Sequence, residues 1–211
     1  MAAPSWLIIN PPSGEGNGQI TFSSTEHTGR VKRSYTATVA GAEESGVDDC
    51  SIAVEQTPQS EFVTIQPSAS VAKGGETLTI TGTSNASKLT FSWQQEPAPS
   101  LVAPLPASFT VNSSTVTNNG EEIDGDPGAT AEYSYSASIV VPENTTIESL
   151  SAVLIVTTTA GQTAQCTITQ SAGDAYLYVE SQGTSSTSIT IPQDGSAVEV
   201  NVLSNTTWTV A

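Results

Sequence analysis

The chain has 211 residues, a formal net charge of −16 at pH 7 and a hydrophobic fraction of 36%. This length suits one or two domains, and the low hydrophobic fraction predicts thin cores of the sandwich type. The negative charge favours a solvated acidic surface and disfavours binding to nucleic acid or anionic membrane, because both would be repelled. No segment approaches the ~18 apolar residues of a membrane-spanning helix.

Short runs rich in Val, Ile and Thr, separated by turn residues, predict β-strands along the whole chain, and no stretch has a sustained helical period. Residues 11–18 form a turn rich in Pro and Gly, and residues 97–106 form a proline-rich crossing. The series predicts an all-β fold of tandem immunoglobulin-like antiparallel β-sandwiches. In chain order, the predicted strands are residues 6–9, 19–22, 33–39, 50–54, 62–65, 77–80, 89–93, 108–111, 131–140, 152–157, 164–169, 176–180, 188–191, 198–203 and 207–210.

Two stretches of the sequence are repeated. Residues 195–205 match residues 75–85 without a gap, and a tryptophan follows each stretch. Residues 25–39 match residues 142–156, and each is followed by a polar turn and a closing strand that ends in Gln. Self-similarity on this scale indicates repeated domains.

The repeats divide the chain into three parts. Residues 59–172 are predicted to form a complete sandwich, residues 1–58 the back part of another, and residues 173–211 the front part of another. Neither terminal part should be stable alone, because each would expose sheet edges and half a core. Trp6, Trp208 and Val210 are the candidate core and strand-exchange residues of the joined parts.

Three alternatives are open for the two terminal parts. They could pair within one chain, pair between neighbouring chains, or belong to a truncated sequence. The linkers around residues 57–60 and 172–174 are short, which makes return within one chain harder and favours exchange between chains. Such exchange would produce either a closed ring or a head-to-tail fibre.

The joined terminal parts carry a recognisable set of motifs. These are Asn205-Thr206-Thr207-Trp208, the stretch from Ser5 through the Pro-x-Ser-Gly-x-Gly turn to Gly18, and the closing Ile52-Ala53-Val54-Glu55-Gln56. The pattern resembles the BACON domain, an immunoglobulin-like module of gut Bacteroidetes proteins and of crAss-like phages. The resemblance implies the sandwich fold, and carbohydrate binding has been inferred for the family. The central repeat departs from the pattern, with Phe109 where a tryptophan is usual and longer loops such as residues 118–128.

The two cysteines, Cys50 and Cys166, each lie in the final strand of a repeat. At equivalent positions they would lie a domain width apart, too far for a disulfide, and we expect two buried thiols. Free thiols suit folding in a reducing compartment, and residues 1–6 lack the basic and apolar regions of a signal peptide.

Residue types that carry catalysis are scarce. His27 is the single histidine and matches Asn144 in the other repeat, so the sequence predicts a turn position rather than a general base. No pair of buried carboxylates suited to glycoside hydrolysis can be identified. The sequence therefore predicts no enzymatic activity.

Two weaker candidate sites remain. Residues 118–126 concentrate oxygen ligands of the kind that Ca²⁺ prefers, although they lack the twelve-residue spacing of an EF-hand, and a solvated acidic loop is the alternative. Tyr176 and Tyr178 share a strand face and could form an aromatic platform for a sugar. The candidate Ca²⁺ ligands are Asn118, Glu121, Glu122, Asp124 and Asp126.

These observations predict a non-enzymatic structural or adhesion protein. The first hypothesis is a phage virion component, namely a capsid decoration, head fibre or tail-associated protein, made in the host cytoplasm. Its expected partners are other copies of itself and other virion proteins. The alternative is a carbohydrate- or mucin-binding module of a bacterial surface or secreted protein. No cofactor is expected apart from the candidate Ca²⁺, and neither nucleic-acid binding nor membrane insertion is expected.

Overall fold

The computed structural model describes residues 3–42, 46–181, 184–185 and 188–211. Within these residues the fold is nearly all β, with one short 3₁₀ turn at Pro127–Ala129. This confirms the predicted all-β sandwich class. The strands are β1 (Leu7–Asn10), β2 (Thr21–Ser24), β3 (Arg33–Val39), β4 (Cys50–Gln56), β5 (Ser68–Val71), β6 (Glu76–Ser84), β7 (Leu89–Trp93), β8 (Ser108–Val111), β9 (Ser114–Thr117), β10 (Tyr133–Val141), β11 (Leu150–Thr158), β12 (Thr163–Gln170), β13 (Leu177–Ser181), β14 (Thr184–Ser185) and β15 (Asn201–Ser204).

The central part is a closed sandwich of two four-stranded sheets. One sheet has the order β6-β10-β8-β9, and the other has the order β5-β12-β11-β7. Pairing is antiparallel except between β5 and β12, which run parallel. Alternate residues of β10 and β11 are buried, as expected for strands with one face on a core.

Aromatic and aliphatic side chains fill the space between these sheets. The ring of Phe91 lies 5.4 Å from that of Phe109 and 5.8 Å from that of Tyr135. The proline-rich crossing adds the buried Leu101 and Ala103 to the same core. Burial raises the pKa of Tyr133 to about 12, so its hydroxyl remains a neutral donor to the carbonyl of Ala86.

The N-terminal part consists of two separate hairpins, β1-β2 and β3-β4. The second hairpin repeats the register of β11-β12, because Arg33 pairs with Gln56 as Leu150 pairs with Gln170. The burial differs, since Val39 is 42% exposed whereas its counterpart Val156 is fully buried. The pairing of β3 with β4 therefore repeats that of β11 with β12, but without the same burial.

The register corrects the prediction for the cysteines. Ile52, not Cys50, is the counterpart of Cys166, because Ile52 pairs with Ala37 as Cys166 pairs with Leu154. Cys50 therefore lies two residues earlier, near the start of β4, and is exposed, whereas Cys166 is buried. Two buried thiols were expected, but only the thiol of Cys166 is buried.

The C-terminal part repeats the front of the central sandwich. Gly195 and Gly75 both adopt positive φ, 74° and 72°, and their amides donate to the carbonyls of Pro192 and Ala72, which are equivalent residues. Leu177 pairs with Ser204 as Val63 pairs with Ser84. The match between these two stretches of sequence is thus a match in structure at the glycine turn and at the serine that ends each stretch's strand.

Strand formation differs from the prediction where a pairing partner is missing. Residues 196–200 match the paired residues 76–80 of β6, yet they form no strand, and neither do residues 188–191 and 207–210. A strand needs a neighbouring strand to satisfy its backbone groups, and in the described part of the chain no strand pairs with residues 196–200 or 207–210. The prediction also missed the short strands β5 and β9, while residues 62–65 contribute only a single bridge.

Candidate functional site

The junction between the N-terminal part and the central sandwich is organised by Asn85. Its side chain is fully buried. The Oδ1 atom accepts from the amide of Phe62 at 2.9 Å, and Nδ2 donates to the carbonyls of Thr28 at 3.1 Å and Ser60 at 3.2 Å. One amide group therefore joins the N-terminal part, the linker and the central sandwich.

The longer loop of the central repeat strengthens this junction. The amides of Arg30 and Val31 donate to the carbonyls of Gly128 and Ala129, each at 3.0 Å. A side chain on Gly128 would lie 2.1 Å from the carbonyl oxygen of Asn85, so only glycine fits there. The Arg30 guanidinium also pairs with the carboxylate of Asp126.

The junction between the central sandwich and the C-terminal part repeats the same contacts. Oδ1 of Asn205 accepts from the amide of Tyr176 at 2.9 Å, and Nδ2 donates to the carbonyls of Asp174 at 2.8 Å and Thr145 at 3.1 Å. Thr145 matches Thr28 in the aligned sequences. Each junction is therefore the contact that one repeat makes with the next.

A buried side chain shapes the turn at each junction. His27 accepts from the amide of Gly29 through Nδ1 at 3.3 Å, and its Nε2 is 2.7 Å from the carbonyl of Val31. Asn144 makes the same two bonds, to the amide of Thr146 and the carbonyl of Glu148, each at the same sequence offset. The geometry assigns His27 the turn role expected from its match with Asn144.

This equivalence gives a prediction for the turn. His27→Asn should leave the free energy of unfolding almost unchanged, because the amide can make both bonds. His27→Ala should lower it by about 1–3 kcal/mol, since a buried donor and acceptor lose their partners. Denaturant unfolding of both variants measures the difference, and equal losses in the two would contradict the shared role.

The N-terminal and C-terminal parts lie at opposite ends of the central sandwich. The first junction is beside Asn85, next to the end of β6 where Ser84 pairs with Tyr133. The second is beside residues 144–146, next to the other end, where Glu76 pairs with Val141. Nine residues of strand separate these ends, about 30 Å. Within the described residues no strand ladder joins the N-terminal part to the C-terminal part.

The N-terminal part has an open cleft between its two hairpins. The cleft has a volume of about 900 Å³ and runs along β3 and β4, with Ile9 from β1 on the opposite side. A second cavity of about 700 Å³ continues it past Ile20 and Phe22 of the other hairpin. In the central sandwich the corresponding space is filled by β6 and β7. We call these cavities together the N-terminal cleft.

The C-terminal part exposes the side chains that fill such a space. Leu89 and Phe91 of β7, four and six residues after Asn85, are buried, but Trp208 and Val210, three and five residues after Asn205, are 50% and 86% exposed. Trp6, the third candidate core residue, is partly buried. The exposed apolar residues of the C-terminal part are Tyr176, Leu177, Tyr178, Val179, Ile189, Ile191, Trp208 and Val210.

The candidate sugar platform is an exposed aromatic pair. The rings of Tyr176 and Tyr178 have centroids 6.0 Å apart at an interplanar angle of 41°, and each residue is nearly half exposed. They lie together on β13 and its preceding residue, as predicted from their spacing. Two neighbouring rings can stack on a sugar, but the same arrangement suits any apolar contact.

The candidate Ca²⁺ ligands do not form a cluster. In the part of the chain that the structure describes, no three His, Cys, Asp or Glu side chains are grouped so that they could hold a metal ion. Asn118 instead bonds the backbone of Phe91 and Pro106, Glu122 lies 3.8 Å from Lys88, and Asp126 pairs with Arg30 at the first junction. Glu121 and Asp124 are exposed. The loop therefore serves the junction, a role that sequence reasoning missed.

The described residues include no helix that is both long and apolar enough to span a membrane.

Comparison with known proteins identifies no family. No protein-family model matches the chain, and no curated protein is significantly similar to it. Among solved structures, an endo-fucoidan hydrolase, MfFcnA4, from glycoside hydrolase family 107 aligns with 88% of this chain at 13% sequence identity and a TM-score of 0.26. The aligned part is 28% of the hydrolase chain. At so low a TM-score the likeness bears on neither the fold nor the activity of this protein.

Proposed function

We propose that this protein is a non-enzymatic structural protein of a phage virion, built from BACON-like immunoglobulin modules and acting as a capsid decoration, head fibre or tail-associated protein. The arrangement of the chain carries the proposal: a closed sandwich lies between two partial sandwiches, each with an open apolar face. Contiguous exposed apolar surface of this kind marks interaction sites. A face at each end suits a protein that links neighbours in an assembly.

The phage assignment rests on the resemblance of residues 5–18 and 205–208 to BACON modules. Such modules occur in gut Bacteroidetes and in the crAss-like phages that infect them. A virion protein is made in the host cytoplasm and reaches the outside at lysis. The acidic composition agrees with a surface position away from the packaged genome, because like charges repel.

Mass spectrometry of density-purified particles tests the virion assignment. Particles from a lysed culture that carries the gene should contain the chain at a fixed ratio to the major capsid protein. An antibody against the chain should then label intact particles in the electron microscope. Recovery of the chain only from the cell envelope or the cleared medium would contradict the assignment.

A carbohydrate-binding role is the second candidate, and the exposed Tyr176–Tyr178 pair favours it. If the rings stack on a sugar, the double variant Tyr176→Ala, Tyr178→Ala should lose at least tenfold in affinity for glycans or mucin, about 1.4 kcal/mol. The matched control is the double Phe variant, which keeps both rings and should retain binding. Glycan-array and mucin-binding assays of the full chain measure this. Absence of binding by the unaltered chain would remove this candidate.

A further inference from the structure

We infer that the C-terminal part of one copy fills the N-terminal cleft of a second copy, so that two partial sandwiches become one closed sandwich between chains. The inference rests on the proposed assembly role and names the partner as a second copy of this chain. Repetition of the contact joins copies head to tail, with an intact sandwich alternating with a shared one.

The central sandwich supplies the expected register of the first sheet. In that sheet Leu78 pairs with Ile139, and Ile80 pairs with Ala137. The repeat places Val198 and Val200 at the positions of Leu78 and Ile80. Hairpin β1-β2 supplies the counterpart of β10, since β2 ends at Ser24 and β10 ends at the aligned Val141.

Residues 196–204 of one copy should therefore run antiparallel to β2 of the next. This register places Val198 opposite Phe22 and Val200 opposite Ile20. Both pairs consist of apolar residues, and Ile20 is 41% exposed in the single chain. The pairing would give residues 196–200 the strand neighbour that no described residue of the single chain supplies.

The β3-β4 sheet has an open edge where the central sandwich has β7. In the central sandwich β7 pairs with β11, so that Phe91 lies opposite Val156. Val39 of β3 is the counterpart of Val156 and has an open edge beside it. Residues 207–210 of a second copy would occupy that edge, with the exposed Trp208 and Val210 turned into the N-terminal cleft.

Geometry excludes the same contact within one chain. The two partial sandwiches are held at opposite ends of the central sandwich by the junctions at Asn85 and Asn205. Both junctions use the same hydrogen bonds, so each sandwich follows the previous one in the same way. A second copy can therefore present its C-terminal part to the first copy's N-terminal cleft.

Apolar contact rather than charge should drive the association. Residues 174–211 contain four acidic residues and no basic residue, and residues 1–58 contain seven acidic and three basic residues. Both parts are net negative and repel each other, and added salt screens that repulsion. Association should therefore increase with ionic strength.

Light scattering of the full-length chain over a concentration series tests the inference. The average mass should rise above the 21.7 kDa of one chain as concentration increases, and should rise further at high salt. Val210→Asp should hold the chain at the mass of a monomer. The matched control is Val102→Asp on the central sandwich, where Val102 is 79% exposed and the mass should rise as in the unaltered chain.

Mixing two blocked variants tests the direction of the contact. Val210→Asp removes the inserting end, and Val39→Asp removes the receiving end, so each variant alone should be monomeric. An equimolar mixture should form dimers and nothing larger, because only one competent contact exists per pair. Circular dichroism of each variant should match that of the unaltered monomer, since both side chains are exposed there.

Two results would overturn the inference: a monomer at every concentration and salt, or equal loss of association in Val102→Asp. Failure of the inference is distinct from failure of the proposed function. A monomer that is nevertheless found in purified virions would remove only the head-to-tail contact. An assembling chain that is absent from virions would remove only the virion assignment.

Discussion

Asn85→Ala should lower the free energy of unfolding by about 3–5 kcal/mol. In the described part of the chain, its amide group is the side-chain partner of the amide of Phe62 and of the carbonyls of Thr28 and Ser60. Alanine would leave these three backbone groups without those bonds, and because the bonds are part-buried each loss should cost about 1–1.5 kcal/mol, the lower part of the range for a buried group. Denaturant unfolding followed by tryptophan fluorescence measures the loss.

Two further variants test why Asn85 matters. Asn85→Asp keeps the acceptor for the amide of Phe62 but loses both donors. Its loss of unfolding free energy should lie between those of the unaltered chain and Asn85→Ala if the carboxyl group is neutral, and should exceed that of Asn85→Ala if the carboxylate stays charged. Asn205→Ala removes the equivalent bonds at the second junction, where the contacts are exposed, and should cost about 1 kcal/mol. If Asn85→Ala cost no more than Asn205→Ala, burial of the first junction would not be the source of the effect.

The repeated stretches predict more of the structure than strand propensity does. Matching residues 25–39 to 142–156 predicts the register of β3 and the shared turn role of His27 and Asn144. Those features follow from one alignment because a β-strand fixes the side of every residue once its register is known. Propensity alone missed β5 and β9, which are four residues each.

The junction could not be predicted from residue chemistry. Asn85 and Asn205 occupy equivalent positions in residues 75–85 and 195–205, which indicates a shared role. Their hydrogen-bond partners, however, are backbone groups of other segments. The acidic loop 118–126 has the same limit, since its composition is compatible with a metal site or a solvated loop whereas its contacts are local and with the N-terminal part. Pairing between segments far apart in sequence decides both cases.

The cysteine prediction failed because it counted from the wrong end of the strand. Counting from the final glutamine, Gln56 or Gln170, places Ile52 opposite Cys166 in the aligned repeats. The strands β4 and β12 differ in the number of residues that follow their cysteines. A match of one residue near the start of two strands is weaker evidence that positions are equivalent than a pairing register that ends at the same residue in both.

Phe91→Ala should destabilise the central sandwich by about 3–5 kcal/mol, the range for removing a large buried aromatic side chain. Phe91 is 2% exposed and contacts the rings of Phe109 and Tyr135, so its loss leaves a cavity between two sheets that cannot close over it. Thermal or denaturant unfolding measures the effect. A loss below about 1 kcal/mol would show that the core is not packed as described.

Alanine substitution of Trp208, in the C-terminal part, tests whether burial or position in the repeat determines how much an aromatic side chain contributes to stability. Trp208 occupies the segment that corresponds to β7 but is half exposed, so Trp208→Ala should cost a dilute monomer at most about 0.5 kcal/mol. If the C-terminal part closes a sandwich in a second copy, Trp208→Ala should cost the assembled protein an amount that approaches that of Phe91→Ala. Unfolding measured at low and at high protein concentration gives the loss of unfolding free energy in the monomer and in the assembled protein. An effect independent of concentration would mean that Trp208 never enters a core, because burial, not position in the repeat, determines the energy of an apolar side chain.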